Sequence, residues 1–250
     1  MSKLPAITLA FWLMKICATT LGETAGDLLS MTLSVGYGAS TLILLTFFLA
    51  TVTAQLMLQR PRPALYWTVI LATSTAGTTL SDYMDRTLGL GYAKGVALLL
   101  SLLLAVFAVW RWTGQTFAVA KIAGFRGELL YWTAILLSNT LGTALGDYLA
   151  DDSGLGFAGG ALLVGTTIGL VAAAYRWTTI PRTPLFWLAF ILTRPFGATL
   201  GDVLTKAPSQ GGLGLGTVGA SAVLLAVLVG MLVRGGRQLA AVPTQPAPLP

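Results

Sequence analysis

The chain has 250 residues and a mass of 26.1 kDa; 55% of the residues are hydrophobic, 10% are charged, and the mean hydropathy is +0.79. Those values lie far outside soluble averages; at about 20 apolar residues per crossing the length suits about eight membrane helices and excludes a separate soluble catalytic module. With no histidine and one cysteine, Cys17, the chain by itself builds no Ser-His-Asp or Cys-His catalyst, no bis-histidine haem, no internal disulfide and no iron–sulfur cluster.

The first predicted helix covers 8–31. It carries Phe11-Trp12 and then the segment TLGETAGDLL, in which Asp27 follows Trp12 by fifteen residues. A glycine-rich break, VGYG at 35–38, separates it from a second apolar run over 38–58. The same plan returns at 64–86 and 93–113, with Tyr66-Trp67, Asp82 and the break LGLGY at 88–92. It returns again at 129–150 and 158–178, with Tyr131-Trp132, Asp147 and GLGF at 154–157, and a fourth time at 184–205 and 217–234, with Phe186-Trp187, Asp202 and LGLG at 213–216. Glycines recur ten positions after each Trp (Gly22, Gly77, Gly142, Gly197) and small residues fourteen after it (Gly26, Ser81, Gly146, Gly201). Successive Trp residues are 55, 65 and 55 apart, so a longer connection over 114–127 divides two similar halves.

The expected fold is therefore all-α and polytopic, with eight transmembrane helices from four tandem parallel helical-hairpin repeats at about 6–60, 61–113, 126–178 and 181–234. One transmembrane domain spans 1–239, and the Pro-rich end over 240–250 reads as a disordered tail. Lys3 before an apolar stretch has the look of a signal peptide, but the match of that stretch to the other three repeats argues against cleavage. An even number of helices per repeat puts all connections between repeats on one side. That side holds ten of the fifteen basic residues, against Arg86, Lys94 and Lys206 in the loops within repeats, so both termini are expected in the cytoplasm of a bacterial inner-membrane protein. The formal charge of +6 is thus read as topology and not as a nucleic-acid patch.

These repeats resemble a family of bacterial membrane proteins built from four tandem two-helix units, each with a characteristic tryptophan. The likeness covers about 6–234. It implies fold and location and supplies no mechanism. Repeat four departs most, with Arg194-Pro195 in place of Thr19-Thr20, Ser74-Thr75 and Asn139-Thr140.

At 100° per residue, positions seven, eleven and fifteen after each Trp share one helix face. The stripes are Thr19, Glu23, Asp27; Ser74, Thr78, Asp82; Asn139, Thr143, Asp147; and Arg194, Ala198, Asp202, with Thr20, Thr75 and Thr140 beside them. Charges facing acyl chains cost several kcal/mol, so the stripes are expected to converge on one polar core lined by the four first helices. The four aspartates are expected as a ring near its outer end, and Glu23 and Arg194, the unmatched deep charges, as a pair across it. Lys15 is expected to reach the cytoplasmic face. Trp12, Trp67, Trp132 and Trp187 read as interface anchors or as a cytoplasmic gate.

Carboxylates, hydroxyls and carbonyls suit H⁺, Na⁺, Mg²⁺, Ca²⁺ or Mn²⁺. The leading reading is a transporter or exporter of a hard cation, or of a small solute coupled to H⁺ or Na⁺, with no cofactor and no nucleic acid; the partners are the lipid bilayer and that cargo, and a homo-oligomer stays open. Alternatives are a structural or accessory membrane protein and an intramembrane aspartyl hydrolase, whose Gly-x-Gly-Asp motif lacks its first glycine in TAGD, TLSD, ALGD and TLGD.

Overall fold

The computed structural model describes residues 5–58, 60–122 and 124–240. Among them are eight long helices: α1 (Leu9–Asp27), α2 (Tyr37–Met57), α3 (Pro63–Asp82), α4 (Tyr92–Trp112), α5 (Phe125–Asp147), α6 (Gly156–Trp177), α7 (Arg182–Thr205) and α8 (Gly216–Ala240). The tail expected to be disordered lies, from 241 onward, outside the described residues. Local signals set the starts. Thr8 caps α1 by accepting from the Phe11 N–H at 3.3 Å, and Pro63 opens α3, where its missing donor is harmless.

The glycine-rich breaks turn the chain back between helices. Gly36, Gly91, Gly156 and Gly216 all sit at positive φ, between 67° and 82°, where the second helix of each repeat begins. A side chain there would be strained, which is why the break carries a glycine in all four copies. After α1, α3 and α5 the chain makes one wide π-helical turn directly beyond the aspartate, closed by bonds such as Leu88 N–H to Tyr83 C=O at 2.9 Å. In repeat four α7 runs on to Thr205 without that turn.

The odd-numbered helices form a closed ring in the order α1, α3, α5, α7 and back to α1. Each even-numbered helix lies outside it. Its packing differs from the expected hairpins, because α2 packs on α3, α4 on α5 and α6 on α7, each on the first helix of the following repeat, and α8 closes the circle on α1. The Cys17 thiol, for instance, bonds the Leu224 carbonyl of α8 at 3.3 Å.

The recurrent glycines explain how the ring closes. A Cβ at Gly22 would overlap Ser74, one at Gly77 would lie 3.0 Å from the Asn139 carbonyl carbon, one at Gly142 would overlap Arg194, and one at Gly197 would lie within 3 Å of Thr19 backbone. Each glycine thus admits the residue seven after the Trp of the next repeat. One turn on, Gly26 meets Thr78, Gly146 meets Ala198 and Gly201 meets Glu23 at 2.9–3.0 Å by the same measure.

Inner and outer helices differ in chemistry. The four outer ones, α2, α4, α6 and Gly216–Gly235 of α8, are long and apolar enough to cross a membrane, with mean hydropathy of 1.8–2.3. They expose Leu42, Leu100, Leu162 and Val223, whereas the inner four bury polar groups: Thr19, Ser74, Asn139 and Arg194 are all fully inaccessible.

Candidate functional site

The interior of the ring is built in layers along the inner helices. At their N-terminal ends lies a closed aromatic circle. Phe11 packs on Trp67 with ring centroids 5.6 Å apart, Tyr66 on Trp132 at 5.6 Å, Tyr131 on Trp187 at 6.0 Å and Phe186 on Trp12 at 5.6 Å. The Tyr66 and Tyr131 hydroxyls share a 2.8 Å hydrogen bond. Trp67, Trp132 and Trp187 are buried in protein, and Trp12 is partly so. The exposed tryptophans are others, Trp112 and Trp177.

Below the aromatics sits Lys15. It does not reach the surface as expected. Its ammonium is enclosed, donating to Asn139 Oδ1 at 3.4 Å and lying 4.1 Å from the centre of the Phe190 ring. The physical reason is register: three residues after Trp12, Lys15 falls on the face that meets α5 and α7, so the bundle closes over it before its stem can reach water. Asn139 in turn donates to Thr73 Oγ1 at 2.8 Å. Among the described residues no carboxylate pairs with Lys15.

The third layer is Arg194 with Glu23. The guanidinium Nη2 lies 2.9 Å from Glu23 Oε2, 2.5 Å from Thr78 Oγ1 and 2.6 Å from Thr143 Oγ1, its two N–H groups shared among the three, and Nη1 lies 3.5 Å from the Thr19 carbonyl. One side chain from repeat four thereby joins all three other repeats at the axis. Gly142 of α5 leaves room for the Arg194 stem, and Ala198 stands where repeats two and three carry Thr78 and Thr143. The hydroxyls of Thr20, Thr75 and Thr140, expected to extend the polar stripe, are spent on carbonyls of their own helices four residues back at 2.9–3.2 Å.

The C-terminal ends carry the four aspartates, all buried. They are not bare. Arg86 pairs with Asp82 at 3.0 Å and with Asp147 at 3.4 Å, while Lys206 pairs with Asp202 at 3.2 Å and with Asp27 at 3.6 Å. Tyr37 and Tyr92, the first residues of α2 and α4, flank the Arg86 guanidinium at 5.9 and 5.7 Å. Lys206, beyond the end of α7, is held protonated above the ordinary lysine range: burial opposes its charge, and Asp202 and Asp27 outweigh that penalty. Glu23, Asp147 and Asp202 each place a carboxylate oxygen within 4.8 Å of the other two. Five carboxylates therefore meet three cations, Arg86, Arg194 and Lys206, so that with all five ionised the buried cluster would hold two negative charges in excess.

The repeat described as Repeat of Unknown Function (DUF347) matches residues 10–61, 65–116, 130–180 and 185–235. The chain belongs to this family. No curated protein and no solved structure matches it. The four matched DUF347 repeats are those set out by the Trp-to-Asp spacing, and each contributes its first helix to the ring and lays its second outside, on the first helix of the following repeat. Arg86 and Lys206 are the site residues that the repeat pattern alone missed. They stand four residues after the aspartates of the even-numbered DUF347 repeats, where the odd ones have Met31 and Asp151, and an acid followed by a base at that spacing is the signal that marks them.

Proposed function

We propose that this protein is an eight-span membrane transporter of a bacterial inner membrane, both termini cytoplasmic, moving a hard cation or a small solute coupled to H⁺ or Na⁺ through the polar core of α1, α3, α5 and α7. The observation that carries this reading is the excess of carboxylates over basic partners in the buried cluster of Glu23, Asp27, Asp82, Asp147 and Asp202, of which Glu23, Asp147 and Asp202 bring carboxylate oxygens within 4.8 Å of one another. Buried carboxylates in excess demand a counter-charge, and two protons, two monovalent cations or one divalent cation would supply it. Arg86 and Lys206 stand where such a cation would enter, each already shared between two aspartates and so able to yield one of them.

The opposite end is shut by the aromatic circle, and between the two Arg194 fills the axis. A cation moving toward the tryptophans must displace the guanidinium from Glu23. Pro195, inside α7, removes one backbone bond of that helix and gives it a place to bend, so that Arg194 can withdraw. The purely structural reading draws on the same ion pairs, since every aspartate has a basic partner. An aspartyl hydrolase is disfavoured, because a catalytic pair needs two carboxyls free to hold one water between them.

Flux in proteoliposomes decides among these. With a cation or pH gradient imposed, wild type is expected to move the ion, and Asp27→Asn and Glu23→Gln to abolish flux while remaining folded. Wild-type flux in a folded variant lacking all four aspartates would leave the structural reading in its place. The topology is checked separately: single cysteines at Thr116 and Ser209, in a Cys17→Ser background, are expected to label from opposite faces, and labelling from the same face contradicts the eight-span arrangement.

A further inference from the structure

One feature of the repeat pattern has no part in the polar core: the longer connection between the halves. Its residues build the wall of a separate cavity. Phe117 accepts a 3.0 Å hydrogen bond at its carbonyl from Trp187 Nε1, and Val119 and Ile122 are buried beneath the bundle end. Held in this way, Phe117, Ala118 and Val119 close one side of a groove of about 570 Å³ whose other sides are α1, α6 and α7. No ring carboxylate reaches it.

The groove is amphipathic along its length. Its deep part is lined by Ile16, Ile168, Val171, Phe186 and Ala189, with Thr193, whose hydroxyl is bonded to the Phe190 carbonyl, as the one polar residue there. Its mouth holds Thr8, Thr183, Tyr175 and Arg182. Arg182 is exposed, donates to the Tyr175 carbonyl and lies with its guanidinium carbon 4.4 Å from the Tyr175 ring centre, an arrangement that steadies it while leaving further N–H groups free. From Arg182 to Thr193, the deepest lining residue of α7, is eleven residues or about 16 Å along a helix, close to the ~15 Å of one hydrocarbon leaflet.

The depth also fits. Trp177 ends α6 five residues before Arg182 and is 77% exposed, and Trp112 at the end of α4 is 89% exposed. Exposed tryptophans of membrane helices settle at the headgroup level, so the polar mouth lies among headgroups and the apolar floor among acyl chains. Exposed Lys121 on the connection and exposed Arg176 at the end of α6 add positive charge at the same end of the molecule.

We propose that this groove binds one anionic phospholipid of the surrounding bilayer, its acyl chain against Ile16, Ile168 and Phe186 and its phosphate on Arg182. A wet apolar groove is costly, and hydrocarbon fills it at no such cost. Charge complementarity at the mouth selects an anionic headgroup over a zwitterionic one. Because one wall is the connection between repeats two and three while the others come from repeats one, three and four, the lipid clasps the two halves together.

Native mass spectrometry of the delipidated full chain in detergent, given equal amounts of phosphatidylglycerol and phosphatidylethanolamine, tests this. Wild type is expected to retain one phosphatidylglycerol per chain with about fivefold preference, as one arginine near the surface confers. Arg182→Gln is expected to lose that preference and keep the binding. Ala172→Trp, which fills the groove from the lipid-facing side of α6, is expected to lose the bound lipid while keeping the Tm of the delipidated wild type, and Ile168→Phe serves as a second filling variant should that one fail to fold. Equal retention of the two lipids by wild type, undiminished binding in both filled variants, or a groove held by detergent or by an uncharged isoprenoid would each overturn the proposal. None of these readouts depends on flux through the ring.

Discussion

The acid end of the ring and its middle follow different symmetries. At the acid end the two halves of the chain do the same thing: Arg86 clamps its own Asp82 and the following repeat's Asp147, and Lys206 clamps its own Asp202 and the following repeat's Asp27. The middle has no such partner arrangement. Lys15, Glu23 and Arg194 each occur once, and the other repeats put Ile70, Ile135 and Phe190, or Thr78, Thr143 and Ala198, or Thr19, Ser74 and Asn139 in their places. Duplication supplies the scaffold and the clamps, and single residues at the axis break the symmetry of the four repeats.

That comparison is most exposed to attack at Arg194. Replacing it by Ala leaves Glu23 buried without its cation, a change that typically costs about 3–5 kcal/mol. In a double-mutant cycle of Glu23→Gln with Arg194→Gln, measured by denaturation in detergent, the pair is expected to be milder than the sum of the singles. Strict additivity would show that the 2.9 Å contact carries no energy.

The ring glycines come next. Gly22→Ala and Gly142→Ala force a methyl into Ser74 and Arg194 and are expected to lower stability by about 1–3 kcal/mol, as overpacking does. Gly169→Ala on α6 has open space around its Cβ and is expected to be neutral or to gain up to about 1 kcal/mol from helix propensity. Equal effects at the three sites would mean that close approach of the inner helices is not what the repeated glycines provide.

Arg86→Gln and Lys206→Gln sharpen the two-fold half of the comparison. Each is expected to destabilise by about 1–2 kcal/mol, and their effects are expected to couple, since Asp147 of one clamp and Asp202 of the other bring carboxylate oxygens within 4.8 Å of each other. Strict additivity would make the acid end two independent clamps and not one network. Smallest of all, Tyr66→Phe removes one of two bonded hydroxyls in the aromatic circle and is expected to cost about 1 kcal/mol, most of it recovered when Tyr131→Phe is added.

The parts of this arrangement that are periodic were legible in the amino-acid order. Eight helices, the stripe through Thr19, Glu23 and Asp27 with its three counterparts, and the meeting of Glu23 with Arg194 all follow from 3.6 residues per turn and the cost of charge in hydrocarbon. What depends on the order of neighbours in the ring was not legible. Nothing in a two-helix repeat says that α2 docks on α3 and not on α1. Lys15 was misplaced because its distance from the helix end predicts snorkelling unless the neighbouring helices are known to close over it. The tryptophans, whose composition alone suits a membrane interface, are split by their neighbours into buried ring members and exposed ones such as Trp177.

The central claim, that Glu23, Asp147 and Asp202 form a cation-responsive site at the acid end of the ring, is tested most directly by thermal unfolding of the purified protein against Na⁺, Mg²⁺, Ca²⁺ and Mn²⁺ over a range of pH. A ligand that binds only the folded state stabilises it by an amount that grows with the logarithm of its concentration, about 2.7 kcal/mol at a hundred times its Kd. The account predicts a dose-dependent rise in Tm for at least one of these cations, strongest where pH leaves the carboxylates ionised and absent in a folded Asp147→Asn/Asp202→Asn variant. No shift with any cation at any pH, or the same shift in wild type and in that variant, would contradict it.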